Sequence, residues 1–242
     1  MKTEGYLYET HMHTSEGSAC GCSTGAEMAG AYAEHGYTGI IVTDHFFYGN
    51  TALDRRLPWS EWVNAFCRGY EHAKAEGAKR GLQVFFGWES CYDGTEFLIY
   101  GLDKAWLLAH PEIRDATVAE QFRLVHEGGG IVCHAHPYRE ASYISEIRLY
   151  PEYIDAVEGM NAANFGKGMK AEPPCLEYDN MAVAYAEKYH FPMTAGSDQH
   201  STEMLFGGMV FDRKLKDIHD FVDAVMSREA VRMLDGSEER QV

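Results

Sequence analysis

Positive charge is scarce in this chain: 21 Lys and Arg stand against 37 Asp and Glu, which leaves a formal net charge of -16. That balance excludes a surface that as a whole grips a nucleic-acid backbone or an anionic membrane, because both need clustered Lys and Arg. A small anion remains admissible, since bound divalent ions dominate a local field and part of the negative count can be carboxylates that such ions neutralise. Long apolar runs are missing too. No segment approaches the roughly 20 uninterrupted apolar residues of a membrane span, and the opening Met-Lys-Thr-Glu-Gly-Tyr lacks a basic region followed by an apolar stretch. The expectation is a soluble, cytoplasmic protein with no membrane partner. Six cysteines (Cys20, Cys22, Cys67, Cys91, Cys133 and Cys175) are scattered without the dense framework of a small secreted domain, so most are expected reduced and packed. Internal repeats, low-complexity tracts and linkers are likewise absent.

What is present is an ordinary globular composition, 45% hydrophobic and 24% charged, too apolar for a disordered chain. A length of 242 residues can bury one sizeable core, so a single domain over 1–242 is the expectation. Short apolar runs alternate with longer helical patterns, which favours a parallel sheet. The strand-like runs are Tyr6 to Glu9, Gly39 to Thr43, Gln83 to Phe86, Phe97 to Tyr100, Ile131 to Cys133, Ile154 to Val157 and Pro192 to Ala195. Thr24-Gly25-Ala26-Glu27 and Thr117-Val118-Ala119-Glu120 have capping-box spacing ahead of helices that should stop near Gly36 and Gly128. Two further helices are predicted over Trp59 to Lys79 and Tyr178 to Tyr189. The run Phe97 to Tyr100 follows its predecessor after a short connection, so strict β-α alternation fails there and a hairpin is expected. The fold class that results is α/β, a distorted barrel.

Candidate ligands sit just beyond the C-terminal ends of the predicted strands, where α/β barrels assemble their sites from different loops. His11-Met12-His13 follows the first strand, and period-two alternation gives its two imidazoles one face. Thr43-Asp44-His45 follows the second and Trp88-Glu89-Ser90 the third, with a carboxylate suited to bridging two metals. His134-Ala135-His136-Pro137 follows the fifth and Gly196-Ser197-Asp198-Gln199-His200 the last. Imidazole and oxygen donors together suit Zn, Mn or Fe better than Mg or Ca. Singly each motif is weak, but six of the twelve histidines fall at strand ends, and the other six (His35, His72, His110, His126, His190, His219) lie in helices or connections.

In order and over about residues 6 to 208, His11-Met12-His13-Thr14, Thr43-Asp44-His45, Glu89, Ala135-His136-Pro137 and Gly196-Ser197-Asp198-Gln199-His200 resemble the motifs of the PHP (polymerase and histidinol phosphatase) superfamily. The resemblance implies a seven-stranded (β/α)7 TIM-like barrel with a two- or three-metal centre at the strands' C-terminal ends, and phosphoester hydrolysis by a metal-activated hydroxide. It would place His11, His13, Glu89 and Asp198 on one metal, with Glu89 bridging to a second metal held also by His136, and His45 and His200 on a third. Val157-Glu158-Gly159-Met160-Asn161 resembles the strand before the family's last large helix. Two departures stand out. Relatives carry an Asp or His about six residues after the second His, where this chain offers Glu16 or Cys20 instead. The family's histidine on the strand after Glu89 is missing from Thr95-Glu96-Phe97-Leu98, so His134 or a water is expected to complete the second site.

The remaining expectations concern substrate. Arg139 is read as a phosphate clamp, because guanidinium matches two phosphate oxygens at once, or else as a surface ion pair with Glu140 or Glu146. Lys167 and Lys170 either meet the rest of the substrate or belong to a solvated loop. Asp44 either orients a metal-bound imidazole or water or caps a helix. Trp59, Trp62 and Phe66, at helical spacing, are expected to pack the barrel. The expected partner is a small phosphate ester (histidinol-phosphate-like, nucleotide or sugar phosphate), not long nucleic acid. Two competing readings are an amidohydrolase-like metal hydrolase of C-N or C-O bonds and a non-catalytic PHP module. Glu89 and the Asp198-x-His200 pair weigh against the first; near-complete ligand retention, with no polymerase segment expected beside it, weighs against the second.

Overall fold

The computed structural model describes residues 5–165, 176–203 and 206–236. Among the described residues nine strands form one mixed sheet: β1 Tyr6–Met12, β2 Gly39–Val42, β3 Gln83–Tyr92, β4 Thr95–Tyr100, β5 Ile131–His134, β6 Ala156–Asn161, β7 Met193–Gly196, β8 Gly207–Phe211 and β9 Arg232–Asp235. Their spatial order is β7-β6-β5-β4-β3-β2-β1-β8-β9. Strands β1 to β3 are parallel, as are β5 to β7, while β4 runs antiparallel to both neighbours. The two ends of the seven-strand stretch then meet. His13 N–H donates to the Gln199 carbonyl (2.8 Å), Gln199 N–H donates to that of His11 (3.3 Å), and Met12 bridges Gln199 in parallel. Gly196 permits this approach, because a Cβ there would lie 2.5 Å from the Cβ of His11.

The sheet is therefore nearly closed and barrel-like, but it departs from a (β/α)7 barrel in two ways. First, β3 and β4 form the expected hairpin, joined by Asp93 (φ 51°) and Gly94 (φ 88°) between the paired Tyr92 and Thr95. Asp-Gly is the pair that a two-residue turn with positive φ at both positions demands, and so short a link leaves no room for a crossover helix. Second, β8 lies antiparallel on β1 and β9 antiparallel on β8. Their sequences, Gly-Gly-Met-Val-Phe and Arg-Met-Leu-Asp, carry little β signal, so the sequence reading passes over them.

Seven α-helices of the described residues cover the sheet: α1 Gly25–Glu34, α2 Trp59–Phe66, α3 Arg68–Arg80, α4 Lys104–Ala109, α5 Val118–Glu127, α6 Leu176–Tyr189 and α7 Ile218–Met226. Both predicted capping boxes form, with Thr24 and Glu27 at α1 and Thr117 and Glu120 at α5 satisfying each other's backbone N–H groups. The single helix predicted over Trp59 to Lys79 is interrupted at Cys67. The break lets α3 settle onto α1, where a Cβ on Gly25 would lie 2.0 Å from the Gly69 carbonyl oxygen. No helix of the described residues is long and apolar enough to cross a membrane.

Alternation along the strands separates two layers of core. Ile41, Phe85, Leu98, Tyr100, Ile131 and Cys133 point into the barrel, whereas Phe86, Trp88, Phe97, Ile99 and Val132 point out beneath the helices. Trp62 stacks on Trp59 (5.7 Å) and Phe66 (4.8 Å) in the outer layer, which is the packing role expected of them. Truncating a wholly buried aromatic such as Trp62 costs roughly 3–5 kcal/mol.

Candidate metal centre

Two departures from strict alternation bring the imidazoles together. Along β1, Leu7 faces outward and Tyr8 inward, so undisturbed alternation would send His11 outward. The β1–β2 register shifts between Glu9 and Met12, as at a β-bulge. Met12 consequently joins Leu7 in the outer cluster, and His11 and His13 both face the barrel rim. Along β5, Ile131 and Cys133 face inward, so His134 falls outward, its ring against Phe97 (5.0 Å) and Tyr185 (6.2 Å). His136 returns to the rim because its φ of 26° is left-handed, and its ring stacks 5.9 Å from that of His11. Asp198 is also left-handed (φ 55°). Such backbone costs on the order of 1–3 kcal/mol per residue and persists where the surroundings enforce it.

Hydrogen bonds behind the rings fix which nitrogen faces the rim. His11 Nδ1 lies 2.8 Å from Glu158 Oε1, a carboxylate that only accepts, so Nδ1 carries the proton. Ser18 Oγ donates to Asp44 Oδ1 (2.7 Å), which leaves it to accept from His13 Nδ1 (3.1 Å) and His45 N–H (3.0 Å). His200 Nδ1 likewise donates to the Asp198 carbonyl (2.7 Å). Each of these rings therefore keeps its Nδ1–H outward and turns its Nε2 toward the rim. The Nε2 atoms of His11 and His13 stand 3.2 Å apart, with Glu89 Oε1 3.3 Å from the first and Asp198 Oδ1 3.1 Å from the second.

That crowd of buried acceptors fits divalent cations. Four groups each bring one donor atom per residue within 4.8 Å of the rest: His13, His45 and His200; His11, His136 and Asp198; His11, His13 and Glu89; His45, Glu89 and Glu96. His45 Nδ1 and Glu89 Oε2 lie 2.8 Å apart, yet neither makes a hydrogen bond, an arrangement that a cation shared between them would satisfy. Burial opposes ionisation of Glu89, but His45 and His11 outweigh it and hold the carboxyl well below its usual range. Asp198 is held low against burial by His11 and Arg139. Burial, aided by His45 and His200, pushes His13 down to about 3, so its imidazole is neutral.

Of the residues singled out by sequence, His11, His13, His45, Glu89, His136, Asp198 and His200 converge. His134 lies outside every candidate group, whereas Glu96, not singled out by the sequence, belongs to one. Glu96, at the start of β4, stands 3.5 Å from His136 Nε2 and 3.7 Å from His45 Nδ1. Because β4 runs backwards, its beginning is at the rim where the other strands end. Burial and the charge of Glu89 raise Glu96 to about 7. Glu158 was also missed as a chemical participant, though it holds His11 and accepts from the His136 N–H (3.0 Å). Asp44 caps no helix. It accepts from Thr14 and Ser18, and burial lifts it to about 6.

Arg139 is not on the surface. It is 5% exposed, its Nη1 donates to Asp198 Oδ2 (2.5 Å), its Nε donates to Asn164 Oδ1 (3.0 Å), and its Nη2 makes no hydrogen bond. Of the two candidates after the first motif, Glu16 turns away to His72 and Gly25, whereas Cys20 lines the site. Burial would raise the Cys20 thiol, but hydrogen bonds to His200 and His45 outweigh it and bring it to about 6. Lys167 and Lys170 lie outside the described residues. The cluster opens into a cavity of about 1030 Å³ walled by Tyr48, Tyr92 and Tyr143 and floored by Glu89, His136 and Arg139.

Comparison with known proteins agrees with this geometry. A family model described as PHP-associated matches residues 177–230. No curated protein matches the chain. Among solved structures, a two-domain protein from Bacteroides vulgatus, predicted to contain a PHP-like metal-dependent phosphoesterase, is 13% identical with a TM-score of 0.65 over 93% of this chain. This chain covers 63% of that one, less than two thirds of its length. A protein from Bifidobacterium adolescentis described as a metal-dependent phosphoesterase is 16% identical, with a TM-score of 0.52 over 91% of this chain and 96% of that one. An amidohydrolase from Chromobacterium violaceum, with bound sulfate and no metal, is 14% identical, with a TM-score of 0.53 over 80% of this chain and 87% of that one. The chain is thus similar to the PHP-associated family model over residues 177–230 and shares its fold with these solved structures.

Proposed function

We propose that the chain is a single-domain, cytoplasmic metal-dependent phosphoesterase acting on a small phosphate ester of the histidinol phosphate, nucleotide or sugar phosphate kind. The observation that carries this reading is the set of inward groups, with His11 Nε2 and His13 Nε2 3.2 Å apart, each 3.1–3.5 Å from Glu89 and from Asp198, and their outer nitrogens tied up as donors. In this reading His11, His13, Glu89 and Asp198 would hold one cation, Glu89, His136 and Glu96 a second, and His45 and His200 a third, the ions being Zn, Mn or Fe. Divalent ions there supply Lewis acidity toward a phosphoryl oxygen and acidify water at neutral pH.

The chain's own groups do the rest. Asp44, through Ser18, keeps the His13 proton on Nδ1; Glu158 does the same for His11. Arg139 donates from Nη2 to a phosphoryl oxygen and neutralises charge growing there, while Nη1 stays on Asp198. The tyrosines of the cavity wall meet the leaving group, and Lys167 and Lys170 remain candidates for its far end. The test is hydrolysis of p-nitrophenyl phosphate by metal-loaded protein, beside a panel of amides and lactones. Phosphate release that Glu89→Gln abolishes, together with metal content, is the expected result. Amide turnover without phosphate release would hand the site to the amidohydrolase reading. Unchanged metal content and hydrolysis in Glu89→Gln would remove the site assignment altogether.

A further inference from the structure

We infer that Asp179 and Asn164 are positioning residues for Arg139, and that together they lock the plane of its guanidinium so that Nη2 is left to meet a phosphoryl oxygen. The inference rests on the proposed function above and gives a task to two residues outside every candidate ligand group.

The three side chains form one buried line. Asp179, in the first turn of α6, accepts through Oδ1 from Asn164 Nδ2 (2.7 Å), and Asn164 Oδ1 accepts from Arg139 Nε (3.0 Å). An amide set between a group that only accepts and a group that only donates has a single workable orientation, because turning it over brings oxygen against oxygen and N–H against N–H. Asp179 therefore dictates that Asn164 shows its oxygen to Arg139. Asn164 follows β6 and Asp198 follows β7, so the bonds from Nε to Asn164 and from Nη1 to Asp198 (2.5 Å) tie the guanidinium plane to two separate elements.

The remaining nitrogen, Nη2, is buried without a hydrogen bond on a side chain that lines the cavity. Leaving such a donor unpaired costs about 1–3 kcal/mol, and more when it is charged. A guanidinium free to turn would relieve that cost; the line from Asp179 prevents the turn. A donor held in this way needs no reorientation as charge develops on a phosphoryl oxygen.

The same carboxylate also reaches the imidazoles. Asp179 Oδ1 accepts from Asn161 N–H (3.3 Å), and Asn161 Nδ2 donates to Glu158 Oε2 (2.9 Å), whose other oxygen holds His11 Nδ1. Asn164→Leu cuts the guanidinium branch and leaves this one in place.

The experiment uses full-length protein and has two readouts. One is exchange of the Arg139 Nε–H with solvent, followed by NMR on nitrogen-labelled protein and assigned through its disappearance in Arg139→Lys. The other is kcat and KM for p-nitrophenyl phosphate after metal loading. Asn164→Leu should speed the exchange and lower kcat by about tenfold to a hundredfold, the range that misplacing a positioned group costs. Its KM should stay within about threefold, with metal content unchanged. Arg139→Lys should lower kcat by about a hundredfold, and adding Asn164→Leu to it should cost less than about twofold more, because residues that act as a unit are not additive. Asp179→Leu should lose kcat as Asn164→Leu does, and Asp179→Asn, which keeps an Oδ1 acceptor, should recover most of that loss. This second pair carries the test if Asn164→Leu misfolds. Unchanged exchange in Asn164→Leu, a kcat that stays at wild type, or losses that multiply in the double variant would each overturn the inference and leave the proposed function standing. A wild type that releases no phosphate ends the proposed function instead, and the Nε–H exchange then decides the positioning by itself.

Discussion

Two segments of this chain carry the same pattern, His-x-His at the end of a strand, and the fold treats them differently. His11 and His13 both reach the rim because a bulge in β1 resets the alternation between Glu9 and Met12. His134 and His136 part company: undisturbed alternation in β5 leaves His134 against Phe97, and a left-handed residue carries His136 back inside. Period-two spacing thus tells which residues share a face only while the backbone stays regular. At the rim of a barrel, where strands end and bend, local backbone irregularity decides.

The comparison can be broken by substitution. The largest expected effect is that of His13→Ala, which should lower kcat/KM for a phosphate ester by at least about a thousandfold, on the order of 4 kcal/mol. A loss no greater than that of His134→Ala would erase the distinction between the pairs. Ser18→Ala should come next. It removes the acceptor for both His13 Nδ1–H and the His45 N–H, so metal affinity should fall by about 10–100-fold, read by competition with a chelating dye.

Glu96→Gln should act on stability with a defined pH dependence. The folded pKa of Glu96, about 7, lies above its ordinary value, so its protonated form is favoured by folding and its ionised form is penalised above pH 7. Metal-freed Glu96→Gln should therefore melt above wild type at pH 8, by an amount on the order of 3 kcal/mol. The advantage should shrink as pH falls through 7 and vanish near 4.5. A constant difference between pH 8 and pH 5 would show that Glu96 is not buried beside another charge. The smallest effect belongs to His134→Leu, which removes a buried nitrogen without a hydrogen bond. Hydrolysis should stay within about fivefold of wild type and the melting temperature should hold or rise.

Much of this architecture can be read from residue order. All seven expected strands form, both Thr-x-x-Glu boxes cap their helices, and the Asp-Gly turn makes its hairpin because each of these signals is local. His45, Glu89 and Asp198 were placed by their positions at strand ends, which the topology converts into proximity. Glu96 escaped because a ligand at the beginning of a strand reaches this rim only if that strand runs backwards. Glu158 escaped because its partner, His11, is 147 residues away. Helix α4 was overlooked despite Asp103, whose side chain caps it by accepting from Trp106 N–H. The second His-x-His misled for the reason already given, and the break at Cys67 depends on contacts of Gly69 with a distant helix.

One consequence of the nearly closed sheet concerns its weakest join. Between β7 and β1 the backbone contributes one bridge at Gln199, whereas His11 and His13 stand on one bank and Asp198 on the other. An ion gripped from both banks works as a clasp on the barrel. Its departure would loosen amide protons along Met12 and Gln199 before those of the β3–β4 hairpin, so occupancy could be followed by hydrogen exchange at a place that takes no part in chemistry.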